Sequence, residues 1–115
     1  MKENATNNDD NKGSMFKNKE TISQKNDRFR RSFIGGMVVV TQAVQYSKGF
    51  EDVIRKVREF EDFNSKNDPY GEHDFGKIDL NGTSYFWKID YYDDNYEFFK
   101  EDGKRVLTIM RADEY

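Results

Sequence analysis

The stretch Ile78-Asp79-Leu80-Asn81-Gly82-Thr83-Ser84-Tyr85 sets Asn-Gly between two alternating runs. Both central residues of a type I′ turn need positive φ, which Asn and Gly tolerate, so the pattern predicts a two-residue β-hairpin. The pairing register then follows. Leu80 opposes Thr83, Ile78 opposes Tyr85, Gly76 opposes Trp87, and Asp74 opposes Ile89. Tyr85, Trp87, Ile89 and Tyr91 share the natural core face. The other face sets His73 opposite Asp90, Phe75 opposite Lys88, Lys77 opposite Phe86, and Asp79 opposite Ser84. Gly76 beneath Trp87 leaves room for a large ring.

Other elements fall around this hairpin. Asn26-Asp27 can cap a short helical turn, Arg28 to Phe33, with Phe29 and Phe33 on one face. Gly35-Gly36 breaks the chain, and the β-branched run Met37-Val38-Val39-Val40-Thr41 reads as a strand buried on both faces. Phe50, Val53, Ile54, Val57 and Phe60 recur at helical spacing, with Ser47 as candidate cap and an end near Phe63-Asn64. Arg105-Val106-Leu107-Thr108-Ile109-Met110 is apolar on both faces and reads as an interior strand. The order β-α-β-β-β, with a short N-terminal helix, predicts an α+β fold: one main helix on a mostly antiparallel sheet of about four strands.

Residues 1–26 carry little apolar content and no helical or strand period, so they read as a disordered tail. The 89 residues from 27 to 115 hold 17 of the 18 aromatic residues and form the single α+β domain. There is no cysteine, which excludes disulfide scaffolds, thiolate metal sites and thiol nucleophiles. The longest aliphatic run, Met37 to Val40, is far short of the ~20 residues of a membrane span. No apolar segment follows a basic start, as a secretory signal requires. The expectation is a soluble, cytoplasmic protein.

Five segments carry a resemblance to a known family: Asn26-Asp27-Arg28-Phe29-Arg30, the run from Gly35 to Thr41, the stretch Asn67-Asp68-Pro69-Tyr70-Gly71-Glu72-His73-Asp74-Phe75-Gly76, the strand Phe86 to Asp93, and Arg105 to Met110 followed by Ala112-Asp113-Glu114-Tyr115. From about residue 26 onward the chain resembles the small bacterial proteins filed as domain of unknown function 3768. The resemblance implies a fold and a mobile-element setting, since members often sit in plasmid-rich genomes; it implies no reaction. Between Asp93 and Lys104 relatives tend to carry a Ser/Asp/Pro-rich loop, where this chain has Asn95-Tyr96-Glu97-Phe98-Phe99-Lys100. No function of that loop carries over.

The one candidate for catalysis is His73 with Asp90 and Lys88. The derived register sets His73 beside Asp90, which would orient the imidazole for a small hydrolytic enzyme, with or without assistance from a metal. Glu72 and Asp74 alternate to the opposite face, which argues against a metal site. No Ser/His/Asp nucleophile set and no phosphate-binding glycine loop is present. The expectation is therefore no enzyme, no metal and no cofactor, with His73 and Asp90 as a structural pair.

Charge is more informative. Residues 27–58 sum to +4 and residues 59–102 to −9, within a chain of net −3. The net charge argues against nucleic acid as the main ligand of Arg28, Arg30, Arg31, Arg55, Lys56 and Arg58. Loops 64–74 and 90–102 instead suggest an acidic partner-binding surface: Asp68, Tyr70, Glu72, Asp74, Asp93, Asp94, Glu97, Glu101 and Asp102. Such a surface would steer toward a basic protein partner. The functional expectation is a small inhibitor of host defence, of the anti-CRISPR kind, that blocks a basic nucleic-acid-binding surface of a CRISPR effector complex.

Overall fold

The computed structural model describes residues 19–115. The hairpin forms as its turn chemistry dictates. Strand β2 (Phe75–Leu80) and strand β3 (Thr83–Tyr92) flank Asn81 at φ 53° and Gly82 at φ 83°. Pairing runs in the expected register, with Leu80 opposite Thr83, Ile78 opposite Tyr85 and Gly76 opposite Trp87. Tyr85, Trp87 and Ile89 point into the core. A Cβ at position 76 would collide with the Trp87 indole, so only glycine lets the ring lie flat on β2.

Strand β4 (Lys104–Arg111) pairs antiparallel with β3 and parallel with β1 (Met37–Val40), giving the order β1-β4-β3-β2. As expected of an interior strand, β4 is buried on both faces, at Val106, Leu107, Ile109 and Met110. Strand β1 departs from expectation, because it is an edge strand. Val38 and Val40 pack toward the helices, while Met37 and Val39 are 44% and 40% exposed on the other face. A β-branched run looks alike whether one face or both are covered, so its pattern did not distinguish the two.

Helices cover one face of the sheet, where Phe29, Val44, Val53 and Val57 meet Tyr85, Trp87, Ile89, Leu107 and Ile109. Helix α1 spans Ile22–Ser32, six residues earlier than the expected turn, with Thr21 and Gln24 forming a reciprocal capping box. It reaches into residues assigned to the tail; residues 1–18 of that tail lie outside the described residues. Asn26 is no cap but a fully buried residue. A short helix α2 (Gln42–Gln45) follows β1.

Helix α3 spans Phe50–Arg58, beginning at the first residue of its apolar period but stopping before Phe60 and the expected end near Phe63-Asn64. Ser47 does not cap it, since its hydroxyl donates to the Val44 carbonyl at 2.8 Å. At the other end Arg30 Nε donates to the Val57 carbonyl (3.0 Å) and Nη2 to that of Phe60 (2.6 Å). These contacts take carbonyls that a longer helix would use, and the chain leaves α3 with Phe60 and Phe63 edge-on to Trp87.

Gly76→Ala should lower stability by about 1–3 kcal/mol in urea unfolding, the usual cost of overpacking a core. The exposed neighbour substitution Lys77→Ala should change it by less than about 0.5 kcal/mol.

Candidate functional site

The starts of β2 and β4 and the ends of β3 and loop 64–74 gather at one end of the sheet, against the middle of α1. Asn26 joins them. Its Nδ2 donates to the Glu72 carbonyl (2.9 Å) and the Tyr91 hydroxyl (2.8 Å), and its Oδ1 accepts from Arg105 Nε at 2.6 Å. Burial pushes the Tyr91 phenol up to about 12, against the opposing effect of the Asn26 hydrogen bond.

One residue along, Asp27 accepts from Arg30 Nη1 at 3.2 Å, and both its carboxylate oxygens lie 3.0 Å from His73 Nδ1. Asp68 takes the other side of the imidazole, 3.5 Å from Nε2, and its Oδ1 accepts from the backbone N–H groups of Glu72 and His73. Phe63 stacks flat on His73 at 3.9 Å between centroids. The expected trio is therefore not brought together. His73 adopts φ 56° and leaves the ladder before β2 begins, which turns its ring to Asp27 and Asp68 rather than Asp90. Lys88 pairs with Asp90 at 2.7 Å, and that hydrogen bond raises the lysine pKa despite partial burial.

Beside this network lies a depression of about 350 Å³ lined by Glu72, Asp74, Asp90, Tyr91, Tyr92 and Phe99. Among the described residues, the Glu72 and Asp74 carboxyls have no cationic partner. Burial raises both pKa values, and for Glu72 the hydrogen bond and charge of Asp74 add to it. Asp68 acts on both, and Glu101 on Glu72, through charge alone. Loops 64–74 and 93–103 thus bring their acids within electrostatic reach of one another.

The remaining expected contact residues divide by role. Asp93 accepts from the N–H groups of Asn95 and Glu97 and closes its loop; these backbone bonds, that of Glu97 foremost, hold its carboxyl below the usual range. Asp102 bridges Lys25 and Arg105, which lower its pKa in that order, so it is a structural tie. Asp94, Glu97 and Glu101 are exposed. Tyr70 is 88% exposed at the tip of its loop. Phe98 and Phe99 are 70% and 74% exposed. Arg30, grouped with the solvent-facing bases, is buried.

Sequence reading missed the parts of the network that α1 supplies. Asn26, Phe29, Arg30 and Phe33 recur at i, i+3, i+4 and i+7, a stripe whose period was available but whose polar members masked it. Among the described residues, no group of three His, Asp or Glu side chains could hold a metal ion, and no helix is long and apolar enough to cross a membrane.

A family model described as "Protein of unknown function (DUF3768)" matches residues 37–114, from β1 to the C-terminal 3₁₀ turn, so α1 lies outside the matched span. No curated protein and no solved structure matches the chain.

Because the folded state keeps protons on Glu72 and Asp74 to higher pH than the unfolded chain does, this pair destabilises the fold as pH rises above the ordinary carboxyl range. Asp74→Asn removes part of that penalty. In urea unfolding the variant should gain on the parent chain between pH 4 and pH 7, the opposite of what loss of a favourable ion pair would give.

Proposed function

The chain belongs to the DUF3768 family, whose membership brings a fold and no reaction, and on the geometry of its acidic end we propose that it is a non-enzymatic protein-binding module. The observation that carries this reading is the Glu72–Asp74 pair, two carboxyls in a shallow depression without a cation of their own among the described residues. Two acids held together at the cost of raised pKa values are stabilised by an incoming guanidinium or ammonium group. Tyr92 and Phe99 line the same depression and offer ring faces to such a cation. Exposed Tyr70, Phe98 and Phe99 supply the aromatic anchors that protein interfaces favour, and Asp94, Glu97 and Glu101 supply long-range attraction.

His73 fits a positioning role in this module. Carboxylates face both of its ring nitrogens and Phe63 covers one ring face, so it braces loop 64–74 against α1.

The partner is a basic, nucleic-acid-binding surface, and a mobile-element-encoded inhibitor of host defence, of the anti-CRISPR kind, fits the acidic end of the sheet. It would act by occupying the groove in place of nucleic acid. Immobilised full-length chain, offered purified CRISPR effector complexes, should retain one of them at about 50 mM salt and release most of it at about 500 mM, where screening is severe. Retention of none at the lower salt would overturn the proposal, as would retention indifferent to salt.

A further inference from the structure

At the opposite end of the sheet, the turn between α2 and α3 closes over the turn end of the hairpin. Gly49 lies so near Leu80 that a Cβ there would come within 2.8 Å of its Cδ2. The cleft between them measures about 550 Å³ and is lined by Tyr46, Lys48, Thr83, Tyr85 and Arg111 among others. No carboxylate lines it, unlike the depressions along α1, along α3 and at the acidic end. Its size lies within the ~300–1,000 Å³ typical of small-molecule sites.

Tyr85 is the feature that points to a ligand. The residue is only 5% exposed, and its hydroxyl makes no hydrogen bond to any described residue. Unlike the Trp87 indole N–H, that hydroxyl is not sealed from solvent, and Tyr85 lines this cleft. A buried phenol ordinarily finds a partner. Around it stand donors suited to an anion. Lys48 is exposed beside the start of α3, where Gly49 offers no side-chain cap and leaves first-turn N–H groups open. Arg111 has one guanidinium nitrogen held by Asp113 at 2.7 Å, which orients its other N–H groups. At the rim, the Tyr46 ring is 82% exposed, a platform for a planar group.

We infer that this cleft binds a nucleoside phosphate, with the phosphate between Lys48 and Arg111, the Tyr85 hydroxyl donating to it, and the base stacked on Tyr46. The site lies at the far end of the sheet from the acidic surface and stands independently of the partner proposed there.

Titration of the full-length ¹⁵N-labelled chain with adenosine monophosphate tests it. Saturable shifts should appear at Tyr46, Lys48, Gly49, Thr83 and Arg111, and adenosine or inorganic phosphate alone should bind at least about 10-fold more weakly, since each forfeits one half of the contacts. Tyr85→Phe, which keeps the ring, should weaken binding about 5- to 10-fold, and the exposed Lys48→Ala by about 10-fold. Absence of saturable shifts at these residues would overturn the site. Parent-like binding by both variants would do the same. Equal binding of inorganic phosphate would overturn the nucleoside assignment.

Discussion

The fold turns on one buried guanidinium. Arg30 is fully enclosed, with burial pulling its pKa down, and its donors go to the carbonyls of Val57 and Phe60 and to the Asp27 carboxylate. Its plane lies over Trp87 at 5.1 Å and near Phe63 at 5.5 Å. Enclosing a charge costs several kcal/mol unless its hydrogen bonds are met. Here they are met by the end of α3, and this determines where α3 stops, how the chain reaches Phe63, and where loop 64–74 begins. Phe63 then stacks on His73, His73 meets Asp27 and Asp68, and Glu72 and Asp74 come to the surface on either side of it. The acidic depression is a downstream consequence of a helix C-terminus captured from another helix.

The parts legible in the sequence were those governed by short-range rules. Asn81-Gly82 specified a turn, the turn specified the register, and the register placed Tyr85, Trp87 and Ile89 in the core with Gly76 under the indole. The double-sided apolarity of β4 likewise announced an interior strand. What escaped was decided at long range. The apolar period of α3 runs on through Phe60, but Arg30, 27 residues before Val57, ends the helix at Arg58. Strand alternation carried His73 to Asp90, whereas a left-handed backbone at a non-glycine residue, stabilised by Asp68, reverses its direction. Nothing local marks such a residue. The family resemblance is the strongest result of sequence reading, yet the matched span begins at Met37 and omits the helix that supplies Asn26, Asp27, Phe29 and Arg30.

The net charge of −3 conceals a polar molecule. One end of the sheet gathers Glu72, Asp74 and Glu101; the other holds Lys48 beside a cleft that no carboxylate lines. Between the ends, the bases of α1 and α3 are largely occupied by their own neighbours, Arg28 with Glu20, Arg31 with Glu61, and Arg55 with Asp52 and Glu59. Paired surface charges contribute little to steering, so the two ends dominate what the molecule presents to a partner.

Placement of charge, rather than its total, is what separates a built acidic surface from a merely acidic protein. The most direct measurement compares two variants of equal net charge in the effector-retention assay: Glu72→Lys combined with Asp74→Lys, and Asp79→Lys combined with Glu51→Lys, which alters exposed acids away from the depression. Loss of retention in the first variant with near-parental retention in the second is the predicted result. Equal losses in both would contradict a localised acidic site.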